Sequence, residues 1–100
     1  MHVDDAAAAI IFLLDIDYSS ELINVGWGYD VSIKELASRI ASHVGFEGRI
    51  LWDTKKPDGM LRKCMDVSKM LDLGFKPKIN LDDGIMQTII EYKKLQELIK

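Results

Sequence analysis

The residues best equipped for chemistry are concentrated in Lys55-Lys56-Pro57-Asp58-Gly59, with Arg62 and Lys63 close behind. An ionised carboxylate such as Asp58 can accept two hydrogen bonds from a ribose or sugar diol, or from the edge of a guanine. Lys55 and Lys56 can place positive charge beside a diphosphate. Between residues 54 and 69, Lys55, Lys56, Arg62, Lys63 and Lys69 stand against Asp58 and Asp66, a local +3 in a chain of net charge −3. A small basic patch on an acidic protein suits a phosphate-bearing small molecule, while the overall charge supplies no field to recruit nucleic acid. Pro-Asp-Gly is also a common turn sequence, a role compatible with binding. Arg62 and Lys63 fall in a segment read as extended, which sends neighbours to opposite faces, so one of the two is expected to meet ligand.

Other reactive side chains read more plainly. His2 and Asp4 sit at the entrance to a helix, where capping and packing account for them better than a catalytic dyad. His43 lies off the apolar stripe of its helix and is expected to be exposed. Cys64 reads as a small apolar filler. No Cys/His/carboxylate cluster has metal-ligand spacing, so no metal site is expected. Trp27 stands between two glycines, where it shields the end of a strand or edges a pocket.

Several elements must position these groups. Asp4 or Asp5 can cap a helix over Ala6 to Leu14, which is apolar nearly all round. Such a helix needs neighbours on several sides, and the expectation is that protein preceding Met1 supplies them. Leu22 to Gly26 reads as a short buried strand, broken by Gly26 and Gly28. Ser32-Ile33-Lys34-Glu35 matches a capping box. Behind it, Ile33, Leu36, Ala37, Ile40, Ala41 and Val44 form one helical stripe that Gly45 is placed to end. Arg49 to Trp52 and Lys63 to Val67 read as extended. Ser68 can cap a short helix over Lys69 to Leu73, ended by Gly74, and Pro77 keeps Phe75 to Ile79 out of helix. Asn80 can cap a last helix from Leu81 to about Leu98, with Ile85, Ile89, Tyr92 and Ile99 along one face.

The 100 residues make one domain at most, able to bury roughly 60–65% of the unfolded surface. At 48% hydrophobic and 29% charged residues the composition is that of a folded, soluble protein rather than a disordered tail. The longest apolar run, Ala6 to Leu14, falls well short of the ~20 residues that span a bilayer. With one cysteine, no internal disulfide can form, which fits a cytoplasmic setting.

Taken in order, the motifs resemble those of the extended short-chain dehydrogenases/reductases, the family of NAD-dependent epimerases and dehydratases. His2-Val3-Asp4-Asp5 opens an alanine-rich helix as in that family. Asn24-Val25-Gly26-x-Gly28 followed by Ser32-Ile33-Lys34-Glu35-Leu36 is similar to its next passage. Asp66-Val67-Ser68-Lys69 with Leu73-Gly74-Phe75-x-Pro77, then Leu81-x-x-Gly84-Ile85, resembles the remainder. Phe46-Glu47-Gly48-Arg49-Ile50 and Asp53-Thr54-Lys55-Lys56-Pro57-Asp58-Gly59 look most like the GDP-L-fucose synthases within it.

The resemblance implies an α/β fold: residues 1–100 as the carboxy-terminal substrate-binding lobe, about four helices with short strands, lacking the Rossmann lobe. It implies a GDP-sugar substrate held by Asp58, Lys56, Lys55 and Arg62. The parent enzyme would use NADP(H) in an amino-terminal lobe to turn GDP-4-keto-6-deoxymannose into GDP-L-fucose by two epimerisations and a hydride reduction. This sequence contains neither Gly-x-Gly-x-x-Gly after a strand nor Tyr-x-x-x-Lys, so it is expected to hold no cofactor and to be inactive alone. The alternatives are a fragment of another nucleotide-sugar epimerase or dehydratase, or a stand-alone module that self-associates through exposed apolar surface.

Overall fold

In the computed structural model, which describes residues 1–16, 22–57, 59 and 62–99, four helices follow one another along the chain. They are α1 (Val3–Asp15), α2 (Ile33–Val44), α3 (Ser68–Leu73) and α4 (Leu81–Ile99). All four lie where the sequence placed them, but the way their ends are held differs.

α2 begins as its sequence predicts. Ser32 Oγ accepts the Glu35 N–H at 3.0 Å, and Gly45 ends the helix at φ 74°. Only half of the capping box operates, because the Glu35 carboxylate turns forward to Arg39 at 2.7 Å. Asn80 Oδ1 likewise caps α4 by accepting the Asp83 N–H at 2.8 Å. The two helices pack together, and Asp82 in the first turn of α4 receives Arg39 at 3.5 Å and His43 at 3.1 Å from α2. His43 is therefore half-buried and bonded, not exposed as expected. The carboxylate that captures it comes from a helix 39 positions away, which periodicity within α2 cannot reveal.

α1 is capped by neither candidate aspartate. His2 is the N-cap, its Nδ1 accepting the Asp4 N–H at 3.1 Å, which accords with its reading as a capping and packing residue. The other ring nitrogen, Nε2, is buried and has no partner among the described residues. Asp5 does different work. It is buried at 5% exposure, and its carboxylate accepts the Lys78 N–H at 3.1 Å and the Ile79 N–H at 2.8 Å. This ties the first turn of α1 to the connector that leads from α3 into α4. Phe12, two turns on, meets Phe75 of the same connector with ring centroids 5.7 Å apart.

α3 also starts one residue earlier than expected. Its N-cap, Val67, makes no side-chain cap bond; Asp66 just before it accepts both the Ser68 N–H, at 2.9 Å, and the Ser68 hydroxyl, so Ser68 does not cap the helix as expected. Those two bonds, the hydroxyl first, lower the Asp66 carboxyl below its ordinary range. Gly74 closes the helix at φ 107°.

No strand forms among the described residues, which corrects the short strands expected at 22–26, 49–52 and 63–67. The first and third do run side by side in opposite directions. Asn24 Nδ2 donates to the Asp66 carbonyl, the Cys64 thiol to the Gly28 carbonyl, and Arg62 to Asp30. These bonds involve side chains, so the antiparallel pair has no backbone ladder. Cys64 is exposed in this arrangement and is not the core filler expected of it.

The core is thin. Ala9, Val67 and Met70 are the buried apolar side chains among the described residues. The accessible surface is 8601 Å², against about 5,700 Å² for a compact protein of this mass. The radius of gyration is 17.0 Å, against about 13 Å. Much of the excess is apolar. On α1, Asp5, Ala9, Phe12 and Leu13 turn inward, while Val3 (69% exposed), Ile10, Ile11 and Leu14 (78%) form a second, bare face. Tyr92, Leu95, Leu98 and Ile99 leave the far end of α4 similarly uncovered.

Two outcomes test these anchors. Asp5→Ala strands two buried N–H donors, so chemical denaturation followed by circular dichroism should show a loss of about 2–5 kcal/mol. Asp5→Asn, which keeps one acceptor, should lose less; equal midpoints for all three proteins would contradict the anchor. The Asp66 carboxyl is depressed in the folded state, so its contribution is present above the unfolded pKa and disappears as pH falls through the lower, folded value. Ser68→Ala should raise the NMR-titrated Asp66 pKa and weaken the acid dependence of α3 below about pH 4.

Candidate functional site

The lysine-rich loop is shaped by a residue that the motif reading passed over. Asp53 Oδ1 accepts the Lys55 N–H at 3.0 Å, and its carbonyl receives the Lys56 N–H at 3.4 Å. This turn delivers Lys55, Lys56 and Pro57 to the surface, where all three are exposed. An aspartate bonding to a backbone N–H two residues on is a recognisable turn former, so Asp53 was legible in principle. Gly59 is open on its Cα, with nothing within 4 Å of an added Cβ. Asp58, the strongest candidate from sequence, lies outside the described residues, as do Met60 and Leu61.

Arg62 returns to the described structure bonded through Nε to the Asp30 carboxylate. That bond, with the charge of Asp30 behind it, raises the guanidinium above its already high ordinary value. Arg62 and Lys63, expected on opposite faces, both line one groove of about 540 Å³ with Asp30, Val31, Ser32 and Glu35. A second groove of about 440 Å³ brings Trp27, Tyr29, Arg39 and Lys63 together. Trp27 is half-buried and edges that groove, so of its two readings the pocket-edging one describes it; there is no strand end here for it to shield. Sequence reasoning missed Asp30, because nothing local marks a carboxylate that meets an arginine 32 positions later.

The Gly26-Trp27-Gly28 turn is the nearest thing to a phosphate-binding glycine loop, and it does not serve as one. Gly28 has φ 91°, and a Cβ there would stand 2.8 Å from Val67 Cγ2. At Gly26 an added Cβ would stand 3.2 Å from Met65 Cε. The glycines let two segments of this chain approach each other, and the space a pyrophosphate would need holds Val67 and Met65. That turn therefore does not fit the pyrophosphate of a dinucleotide. No group of three or more His, Cys, Asp or Glu side chains among the described residues is placed to hold a metal ion. No helix among them is long and apolar enough to cross a membrane.

Comparison with known proteins gives these features a setting. No family model matches the chain. Over 88 residues, 88% of its length, it is 53% identical to a putative GDP-L-fucose synthase 2 of Arabidopsis thaliana. Over the same number of residues it is 50% identical to a probable GDP-L-fucose synthase 1 of Oryza sativa subsp. japonica. The chain spans 27% of each of these relatives. Its fold is similar to part of a crystal structure of a GDP-6-OMe-4-keto-L-xylo-heptose reductase from C. jejuni. That match has a TM-score of 0.81 and 39% identity, covering 95% of this chain and 30% of the reductase. By sequence the chain is similar to the carboxy-terminal part of GDP-L-fucose synthases, and by fold it is similar to part of a GDP-sugar reductase.

Proposed function

We propose that the chain is the substrate-binding part of a GDP-L-fucose synthase-like enzyme, engaging a GDP-sugar through Asp58 with Lys56, Lys55 and Arg62 around it. The observation that carries this reading is the 53% identity with a putative GDP-L-fucose synthase over 88% of the chain. The loop built on Asp53 supports it, since the turn presents two exposed lysines immediately before Pro57-Asp58-Gly59. Asp58 is assigned the diol or guanine edge, where a carboxylate can accept two hydrogen bonds. The lysines and Arg62 are assigned the diphosphate, whose charge they offset without chemistry of their own.

In this reading NADP(H) and the Tyr-x-x-x-Lys pair belong to an amino-terminal Rossmann lobe, in a cytoplasmic enzyme. The bare face of α1 is its seat. One feature supports that assignment: Val3, Ile10, Ile11 and Leu14 form a connected exposed apolar face of a kind that marks association sites. The chain by itself binds nucleotide sugar and does not turn it over.

The same bare face supports a second reading, a module in which copies associate through α1. Light scattering separates the two: a monomer at micromolar concentration counts against self-association, and a concentration-dependent oligomer abolished by Ile10→Asp and Leu14→Asp supports it.

Calorimetric titration tests the main reading. GDP should bind in preference to UDP, and Asp58→Ala should weaken GDP by roughly tenfold or more. Given NADPH and the keto-sugar nucleotide, the isolated chain should leave the NADPH absorbance unchanged. Equal affinity for GDP and UDP, or steady NADPH oxidation, would overturn it.

A further inference from the structure

Arg62 and Asp30 are 73% and 39% exposed as side chains. An ion pair so exposed contributes little or nothing to stability. Its consequence must be sought in where it puts the guanidinium. The bond to Asp30 uses Nε, the inner nitrogen of the fork, and not the two terminal nitrogens with which arginine grips a phosphate bidentately. The arginine is thereby fixed along the wall of the groove, with Lys63 beside it. The other carboxylate on that wall, Glu35, is occupied by Arg39 at 2.7 Å. Asp30 follows Tyr29 in a segment that is itself held against residues 62–66 by the Asn24 and Cys64 bonds, so the anchor stands on a fixed base.

We propose that Asp30 is a positioning residue: it holds Arg62 by Nε so that the terminal guanidinium nitrogens receive the diphosphate of the bound nucleotide, with Lys63 as the neighbouring cation. The proposal rests on the reading of the chain as a GDP-sugar binder and adds to it a residue that never touches ligand. An unanchored arginine on an exposed segment samples many rotamers and loses that freedom on binding; the Asp30 bond removes much of that cost beforehand. The anchor must be acidic and of the right reach. Asparagine at this position keeps a hydrogen-bond acceptor but loses the charge that holds the guanidinium.

The test uses the whole chain, with inorganic pyrophosphate and GDP as separate probes in calorimetry, and the Arg62 Nε–H resonance as a spectroscopic reporter. Wild type should bind both probes, with the Arg62 resonance shifting on titration. Asp30→Asn should weaken both probes about three- to fivefold at an unchanged melting temperature, the ceiling set by an exposed ion pair. Asp30→Glu should recover most of the affinity. Arg62→Lys, which keeps the charge but removes the whole guanidinium fork, should lose at least as much as Asp30→Asn, and the double variant should lose no more than Arg62→Lys alone. Asp30→Glu keeps the matter decidable if Asp30→Asn folds poorly. Wild-type affinity in Asp30→Asn, additive losses, or an Arg62 resonance blind to pyrophosphate would each overturn the proposal. Binding of GDP without pyrophosphate overturns it while leaving the GDP-sugar reading in place. Binding of neither removes that reading and this one together.

Discussion

The fold hangs on one carboxylate. Asp5 leaves the first turn of α1 and takes the amide hydrogens of Lys78 and Ile79, burying its charge against the connector between α3 and α4. A buried carboxylate is tolerated only when bonded, and backbone donors held in place by the neighbouring Pro77 meet that need without a countercharge. Its place at the amino end of a helix adds a favourable dipole. Everything near the connector is arranged around this join: Phe12 on Phe75, His2 against Gly84 at the head of α4, and the Asp82 carboxylate that gathers Arg39 and His43 from α2. Local polar bonds hold the helices in register while contributing little hydrophobic core.

That economy explains the surface. A chain stabilised mainly by burial would hide its leucines and isoleucines; this one exposes Ile10, Leu14, Leu51, Leu98 and Ile99. The two apolar faces of α1 divide the labour, one closing on this chain and the other lying open.

Sequence reading succeeded where structure is local. Ser32, Gly45, Gly74 and Asn80 act within four residues of where they sit, and the helix ends they mark fell into place. It failed where the partner is distant in sequence. The long-range carboxylates Asp5, Asp30 and Asp82 look alike on paper, and only the fold reveals that one takes two amides, one an arginine, and one an arginine and a histidine. The expected strands show the same limit. Segments 22–26 and 63–67 do lie side by side, but the buried strand expected at 22–26 does not form and Leu22 is exposed, because a ladder depends on backbone partners that alternation cannot guarantee. At the candidate site, Lys55, Lys56 and Arg62 were legible from type and spacing. The Asp53 turn could have been read as an aspartate bonding two residues on; the Asp30 anchor, whose arginine lies 32 positions away, could not.

The central claim, that this chain is the substrate side of an enzyme completed across the bare face of α1, is most directly tested by complementation. The amino-terminal lobe of a GDP-L-fucose synthase is mixed with the chain, and NADPH oxidation is followed with GDP-4-keto-6-deoxymannose. The account predicts turnover in the mixture alone, lost when Ile10→Asp and Leu14→Asp are introduced into α1. Activity that survives those substitutions, or a lobe that binds the chain without gaining activity, would contradict it.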